Sequence, residues 1–239
     1  MTLPVAILAG GLATRLHPLT EKIPKALVDI NGEPFIAHQL RLLQAAGLQE
    51  IVICTWYREE LIRAFAEDGR QFGVKIRYSF DGDFALGTGG ALHKALPCLG
   101  DSFFVLYGDS YLPCNYRAVE AAYFSASKKG LMTVYRNRNQ GDRSNVEFSN
   151  GQIRDYNKRN RSPQMEYIDY GLGVLNASVF DLYPLGQFLD LADIYRRLLA
   201  EGQLAGFEAP ERFYEIGSFE GINELEAYLK RKTGGEFSE

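Results

Sequence analysis

The sequence predicts an α/β fold with a mixed, mainly parallel central sheet, flanking helices and a small antiparallel insert. In the first half, short apolar runs alternate with amphipathic segments of helical length, which implies βαβ units and parallel strands. In the second half, Asn150-Gly151 lies between two short runs of strand character, which is a strong hairpin signal. A length of 239 residues with 46% hydrophobic content suits one sizeable domain of this class.

The first half is expected to hold buried strands separated by helices. Asn31-Gly32 marks a tight turn. The expected strands are Val5–Ala9, Ile51–Thr55, Val74–Tyr78 and one that runs from Ser102 to Gly108-Asp109. The expected helices are one opened by Pro34 and capped by Gly47, one over Glu59–Phe65, and one that Thr88 caps and that ends at Leu96.

The second half continues with elements of both kinds and then changes character. The expected helices are Asn115–Lys128, Leu189–Leu199 and Phe219–Leu229. The expected strands are Leu131–Tyr135, a hairpin over Asn145–Asn157, Tyr167–Asn176 and a strand–turn over Phe213–Gly217. The change from βαβ units to antiparallel pieces indicates an insert or lid over the sheet.

Composition argues against several classes of function. The net charge of −4 gives no basic excess for nucleic acid, and no apolar run reaches the length of a membrane span. The start of the chain lacks the pattern of a signal peptide. The cysteines, Cys54, Cys98 and Cys114, have no metal-binding spacing and indicate reduced thiols in a cytoplasm.

The first loop carries the features of a triphosphate site. A short apolar run ends at Gly10-Gly11, where backbone N–H groups can approach an anion closely, and Arg15 and Lys25 add positive charge. Neither the P-loop pattern nor G-x-G-x-x-G is present. The candidate nucleotide-binding residues here are Leu8, Ala9, Gly10, Gly11, Thr14, Arg15 and Lys25.

Two further motifs point to a nucleotide and a metal. Gly87, Thr88 and Gly89 open a helix, so a flat group could lie against the backbone at its positive end. Asp109 follows a buried strand directly, at the sheet edge where α/β proteins bind ligands. A carboxylate there suits Mg²⁺, which prefers one or two carboxylates together with phosphate oxygens.

These motifs, in this order, resemble the signature of the sugar-1-phosphate nucleotidylyltransferases. The stretches that carry the resemblance are Leu8-Ala-Gly-Gly-Leu-Ala-Thr-Arg-Leu16, Pro24-Lys25, Leu86-Gly-Thr-Gly-Gly-Ala91 and Gly108-Asp109. Ala13 departs from the glycine usual in the family. The resemblance implies a Rossmann-like nucleotide-diphospho-sugar transferase fold as one domain over 1–239, with a nucleotide-binding part over about 1–112 and a sugar-binding and closing part over about 113–239.

The resemblance also implies roles on the sugar side. Lys158 matches a lysine that contacts the sugar phosphate, although Asn157 replaces the usual glutamate before it. Asp169, Tyr170 and Gly171 stand where the family has Asn-Ala-Gly in a strand that lines the sugar pocket. Asp169 is therefore expected either to accept hydrogen bonds from sugar hydroxyls or to be a buried, paired aspartate. Glu215 stands in the place of a second metal-binding aspartate beside Asp109.

The implied activity is Mg²⁺-dependent transfer of a nucleoside monophosphate from an NTP to a sugar 1-phosphate. Arg15, Lys25 and Asp109 are the expected catalytic residues: Arg15 on the departing phosphates, Lys25 on the α-phosphate and Asp109 on the metal. The size and the second glycine loop most resemble heptose 1-phosphate guanylyltransferases that make surface-polysaccharide precursors, with GTP as substrate.

The alternatives are UTP or CTP with another sugar or polyol phosphate, and a non-catalytic nucleotide-sugar sensor or regulatory subunit. The sequence leaves the base, the sugar and a homodimeric state open.

Overall fold

A computed structural model describes residues 2–11 and 14–234. In chain order the first half contains β1 (Val5–Leu8), β2 (Asp29–Ile30), β3 (Glu33–Pro34), α1 (Phe35–Ala45), β4 (Glu50–Thr55), α2 (Glu59–Ala66), β5 (Lys75–Phe80), α3 (Gly87–Leu99), β6 (Ser102–Tyr107) and β7 (Ser110–Tyr111). The second half contains α4 (Tyr116–Ala126), β8 (Gly130–Tyr135), β9 (Val146–Ser149), β10 (Gln152–Tyr156), β11 (Ile168–Asn176), α5 (Leu191–Ala200), β12 (Leu204–Glu208), β13 (Tyr214–Glu215) and α6 (Phe219–Gly234).

The central sheet has seven strands in the order β12-β8-β11-β6-β1-β4-β5. Strand β11 is antiparallel to both of its neighbours, β6 and β8, while all the other pairs are parallel. Six strands therefore point the same way, as the predicted mixed, mainly parallel sheet requires. The register sets Leu8 at the end of β1 beside Cys54 of β4 and Tyr107 of β6, so the loops that follow these three strands lie at one edge.

Apolar residues cover both faces of the sheet. In β1, Val5 and Ile7 pack into one core, and Ala6 packs into the core on the opposite face. This two-sided burial explains why β1 is a continuous apolar run rather than an alternating one. A third, smaller core surrounds Phe35 and Ile216 and includes Leu225 of α6, so it packs the end of the chain against the segment that carries Glu215.

Two Asn-Gly turns were predicted, and both are confirmed. Asn31 and Gly32 join β2 to β3 with φ of 54° and 88°, and Asn150 and Gly151 join β9 to β10 with φ of 51° and 74°. These paired positive angles are those of the two-residue turn that suits the twist of a hairpin. The antiparallel insert therefore lies where the sequence predicts it.

One strand of the central sheet was not predicted. The edge strand β12 pairs in parallel with β8 over Leu204-Ala-Gly-Phe-Glu208. This segment contains glycine, alanine and glutamate and no β-branched residue, so its composition is not typical of a strand. Its pairing with β8 overrides that weak local preference.

The helices lie close to the predicted ranges, with small differences at their ends. Helix α1 begins at Phe35, one residue after Pro34, and Gly47 follows its end with φ of 83°, as expected for a terminating glycine. Helix α6 continues to Gly234, five residues beyond the predicted end at Leu229. No helix in the described ranges is both long and apolar enough to cross a membrane.

Candidate active site

A cavity of about 280 Å³ opens at the carboxyl ends of β1, β4 and β6. It is lined by most of the predicted nucleotide-binding residues and by further residues from the same loops. The lining residues are Leu8, Ala9, Gly10, Gly11, Lys25, Ala26, Cys54, Thr55, Asp81, Ala85, Gly87, Thr88, Ala91, Tyr107, Gly108 and Asp109. The position agrees with the general rule for open α/β sheets.

Gly108 brings the first loop and Asp109 together. Its backbone N–H donates to the carbonyl of Leu8, and a Cβ at this position would lie 2.5 Å from that oxygen and 2.9 Å from Ala9 Cα. Only glycine permits this approach of one backbone to another. The end of β6 is thereby fixed against the end of β1, and Asp109 lies on the cavity wall.

Lys25 and Asp109 form an ion pair on that wall. The Lys25 ammonium donates to Asp109 Oδ2 over 2.7 Å, and the Lys25 side chain is only 12% exposed. Pro24 precedes the short 3₁₀ turn that carries the lysine. The other carboxylate oxygen of Asp109 accepts from the hydroxyl of Ser110. A fixed positive and a fixed negative charge are therefore presented side by side to a ligand in the cavity.

Glu215 reaches the same place from the far end of the chain. Strand β13 pairs with β7 and sets Glu215 opposite Ser110, and the N–H of Ile216 donates to the carbonyl of Asp109. A Cβ built on Gly217 would lie 3.1 Å from Arg15 Nη2, 3.4 Å from Lys25 Nζ and 3.7 Å from Glu215 Oε2. Three of the predicted side chains thus converge around Gly217.

The electrostatics around Glu215 favour a cation. The pKa of Glu215 is raised to about 7, first by burial and then by the charges of Asp109 and Asp142, whereas Lys25 and Arg15 act in the opposite direction. Two carboxylates that repel each other at the mouth of a cavity fit a hard divalent cation, which would remove the repulsion. Within residues 2–11 and 14–234 no cluster of three or more potential ligand residues is present, so the chain offers a metal two carboxylates and not a complete cage.

The second glycine loop differs from the prediction in one respect. Thr88 does not cap α3, because the helix already begins at Gly87 and Leu86 occupies the N-cap position. The Thr88 hydroxyl instead accepts from the N–H of Leu191 and donates to Asp190, and so it ties α3 to the start of α5. A cap was expected because threonine before an apolar helix is the usual N-cap pattern, and the long-range partner is invisible in the local sequence.

Gly87 and Thr88 line the cavity, but Gly89 lies behind it. The N–H of Gly89 donates to the carbonyl of Leu189, and a Cβ on Gly89 would lie 2.8 Å from the Leu189 side chain. Gly89 was expected to bind the nucleotide, but its amide is already bonded within the protein. In this structure Gly89 serves the packing of α3 against the segment before α5.

Lys158 lies beside the cavity, next to Tyr107. Its ammonium is 3.4 Å from the Tyr107 hydroxyl, 3.7 Å from Asp169 Oδ2 and 5.3 Å from the centre of the Tyr107 ring. Gly171, with φ of 88°, passes close to the other side of Tyr107, and a Cβ there would lie 3.1 Å from the ring. Lys158, Asp169 and Gly171 are thus brought together around Tyr107.

Tyr170 is not part of this group, which corrects the prediction that it contacts the sugar phosphate. Its side chain is fully buried in the core on one face of the sheet, where its ring packs edge-on against Phe213 at 5.5 Å. Asp169, which was expected to be either a sugar ligand or a buried paired carboxylate, is 6% exposed and has protein partners on both oxygens. The second of the two alternatives therefore describes Asp169.

Tyr107, Gly108 and Asp81 are among the cavity residues that were not assigned to the site from the sequence. Tyr107 ends β6, Gly108 follows it, and Asp81 follows β5. Asp81 Oδ2 accepts from the N–H of Leu86, whereas its Oδ1 is buried without a hydrogen-bond partner among the described residues, and burial raises its pKa. The signal that could have found them is position, because all three lie at the carboxyl end of a parallel strand.

Some of the predicted loop is outside the described residues. Leu12 and Ala13, including the alanine that departs from the family pattern, fall in the gap between residues 11 and 14. Thr14 begins a 3₁₀ turn that runs to Leu16 and carries the exposed Arg15.

Known proteins are similar to this chain over most of its length. Residues 5–232 match the family model described as nucleotidyl transferase. The mannose-1-phosphate guanyltransferase of Yarrowia lipolytica is 31% identical over 219 residues, which are 88% of this chain and 60% of that protein. The chain therefore spans about 60% of the length of this curated relative.

Two solved structures have the same fold. A Bacillus anthracis protein assigned as a glucose-1-phosphate thymidylyltransferase superimposes with a TM-score of 0.84 at 22% identity, covering 95% of each chain. HddC from Yersinia pseudotuberculosis, solved with GMP-PN, superimposes with a TM-score of 0.78 at 22% identity, covering 95% of this chain and 100% of that one.

Proposed function

Because this chain belongs to the nucleotidyl transferase family, we propose that it transfers a nucleoside monophosphate from an NTP to a sugar 1-phosphate and releases pyrophosphate. An oxygen of the sugar phosphate attacks the α-phosphorus of the NTP, a new P–O bond forms, and the bond to the bridging oxygen of the β-phosphate breaks. The observation that carries the proposal is the convergence of Arg15, Lys25 and Glu215 around Gly217, beside Asp109.

The charges of the site suit this chemistry. Phosphoryl transfer needs no protein nucleophile, since the phosphate is one already, and catalysis depends on position and on neutralised charge. We assign Lys25 to the α-phosphate, because its ammonium is held on the cavity wall by Asp109. We assign Arg15 to the departing phosphates, because its guanidinium is exposed at the open side of the cluster.

We assign Asp109 and Glu215 to Mg²⁺. Bound there, the ion would neutralise the charge of the reacting phosphates. The support from the structure is the chemistry of the donor set, which consists of two carboxylates close enough for Asp109 to raise the pKa of Glu215. Lys158 is assigned to the incoming sugar phosphate, since its ammonium lies next to Tyr107, which lines the cavity.

For the base we favour guanine. Asp81 lines the cavity, and an ionised carboxylate only accepts hydrogen bonds. Guanine offers two adjacent N–H donors on its pairing edge, whereas uracil and thymine offer one. A similar fold in HddC was solved with GMP-PN, and the Yarrowia lipolytica relative is a guanyltransferase. UTP and CTP remain the alternatives.

The sugar we favour is a heptose 1-phosphate used for surface polysaccharide, with another sugar or polyol phosphate as the alternative. We place the reaction in the cytoplasm, where the three free cysteines would stay reduced. The candidate from another class is a non-catalytic nucleotide-sugar sensor or regulatory subunit. The intact pair of Lys25 and Asp109 argues against it, since a sensor needs no such pair.

Pyrophosphate release tests the proposal. GTP, UTP, CTP, ATP and dTTP are each paired with a panel of sugar 1-phosphates, with Mg²⁺ and with EDTA. One productive pair that is lost with EDTA supports the class of reaction and identifies both substrates. NTP binding without pyrophosphate from any pair would contradict the enzyme and favour the sensor.

A further inference from the structure

We infer that Asp169 is a positioning residue that orients the Lys158 ammonium, against the rings of Tyr107 and Tyr156, for the phosphate of the second substrate. This inference rests on the proposed function of Lys158. The Asp169 carboxylate is buried, so it would act on the substrate through Lys158 and not by direct contact. Both ends of the Lys158 side chain are held in place by the protein.

The ammonium end is held by a buried acid and two aromatic rings. Asp169 Oδ2 lies 3.7 Å from Lys158 Nζ and also accepts from the hydroxyl of Tyr156, and the ammonium lies 5.3 Å and 5.9 Å from the ring centres of Tyr107 and Tyr156. A cation at these distances from an aromatic face is attracted by the ring. Burial and the Asp169 charge raise the pKa of Tyr156, so its hydroxyl stays protonated and donates.

The backbone end is held by two asparagines. Asn157 Oδ1 accepts from the N–H groups of Arg159 and Asn160 and closes the turn that carries Lys158. Asn145, which is 7% exposed, accepts from the N–H of Asp169 through its side chain and from the N–H of Asn157 through its carbonyl. Asn145 therefore ties the turn that carries Lys158 to strand β11.

The two members of this ion pair differ in burial. The Asp169 side chain is 6% exposed, while that of Lys158 is 43% exposed. Lysine has three N–H donors, and the contacts at 3.4 Å to Tyr107 and 3.7 Å to Asp169 are long, so donors remain for phosphate oxygens on the open side. The buried side sets the direction of the ammonium and the open side receives the ligand.

The test compares Asp169→Asn with Asp155→Asn, the same change on strand β10, which precedes β11 along the chain. Asparagine keeps the shape and removes the charge. In Asp169→Asn the KM for the sugar 1-phosphate is expected to rise about tenfold, or about 1.4 kcal/mol, because the charge that directs the ammonium is lost. The KM for the NTP and the Tm are expected to stay unchanged. In the Lys158→Ala background the same substitution is expected to add nothing.

A second readout needs no turnover. Lys158 is acetylated with acetic anhydride and followed by mass spectrometry, with and without α-D-glucose 1-phosphate. Without the contact to the Asp169 carboxylate, the Lys158 amine is expected to react several-fold faster in Asp169→Asn and not in Asp155→Asn. A labelling change without pyrophosphate from any pair would support the positioning and contradict only the proposed reaction.

The inference is overturned if Asp169→Asn matches the wild type in the KM for the sugar 1-phosphate and in labelling. It is equally overturned if the substitution lowers the Tm and raises both KM values by similar factors, or if its effect is as large in the Lys158→Ala background. Each of these results would make Asp169 a structural residue.

Discussion

The nucleotide side and the Lys158 side of the site differ in the groups that form them. On the nucleotide side, glycines at the ends of parallel strands and in the loops contribute to the cavity wall: Gly10, Gly87 and Gly108, which approaches Leu8 closely. On the side of Lys158, side chains form the site, with the ammonium held by Asp169 and two tyrosines. A backbone wall fixes one ligand shape, whereas a wall of side chains can be altered by single substitutions without disturbing the sheet.

This difference predicts where substitutions act. Changes on the nucleotide side should affect the chemistry or the fold. Changes on the Lys158 side should affect mainly the KM of the second substrate. The predictions below follow the expected size of the effect.

Lys25→Ala should have the largest effect. Removal of one charge partner of a transition state lowers kcat by about 10²–10³. The control is Lys22→Ala, an exposed lysine of the same loop, which should turn over like the wild type. Both are measured by pyrophosphate release with the productive pair. Near wild-type turnover in Lys25→Ala would refute the role assigned to this residue.

Gly108→Ala should damage both the fold and the cavity. The added Cβ would lie 2.5 Å from the Leu8 carbonyl oxygen, so the end of β6 must move away from β1. Overpacking of this kind costs about 1–3 kcal/mol, which corresponds to a Tm loss on the order of 2–12 °C for a chain of this length. Gly11→Ala is the contrast, because its Cβ would meet nothing within 4 Å. Equal Tm values for the two variants would contradict the close approach.

Glu215→Gln should stabilise the metal-free protein at high pH. The pKa of Glu215 is raised from 4.5 to about 7, so the folded state keeps a proton that the unfolded chain has released in this window. The stability of the wild type should therefore fall as the pH rises from about 4.5 to 7, and that of the variant should fall less.

This comparison is made by thermal unfolding in EDTA at pH 5 and pH 8. At pH 8 the Tm of the variant should be several degrees above that of the wild type, and at pH 5 the two Tm values should be similar. The turnover of the variant should be lost. A variant less stable than the wild type at pH 8 would show that ionised Glu215 does not destabilise the folded state.

Tyr170→Phe should have the smallest effect. The Tyr170 hydroxyl is buried with no hydrogen-bond partner in the described residues, so its removal costs nothing and gains up to about 1 kcal/mol. The KM for the sugar 1-phosphate should not change. An increase in that KM with an unchanged Tm would contradict this prediction and support the role in the sugar pocket that the family resemblance implies for Tyr170.

The same contrast explains which parts of the site could be predicted from sequence. Glycines and charged residues at fixed spacings mark a backbone-built loop, so Gly10, Gly11, Lys25 and Asp109 can be recognised in the sequence. Glu215 is recognised through its motif, although no local pattern shows that it meets Asp109 across 106 positions of the chain.

Side-chain directions in β11 could not be predicted in the same way. The four steps from Asp169 to Gly173 on β11 match only the two steps from Val134 to Met132 on β8, so the pairing is irregular there. An irregularity of this kind changes the direction in which side chains point. It depends on the pairing with the partner strand, which the local sequence does not show. Tyr170 therefore packs in the core, while its neighbour Asp169 reaches Lys158.

The central claim is that the nucleoside monophosphate is transferred to a phosphate monoester. Following the phosphorus signals of one reaction by ³¹P NMR tests it most directly, with GTP, the productive sugar 1-phosphate and Mg²⁺. The account predicts that the α-phosphorus of the NTP and the sugar phosphorus appear together in one diphosphate diester while pyrophosphate accumulates, and that Lys25→Ala suppresses both signals. Release of free nucleoside monophosphate or diphosphate with the sugar phosphate unchanged would contradict it.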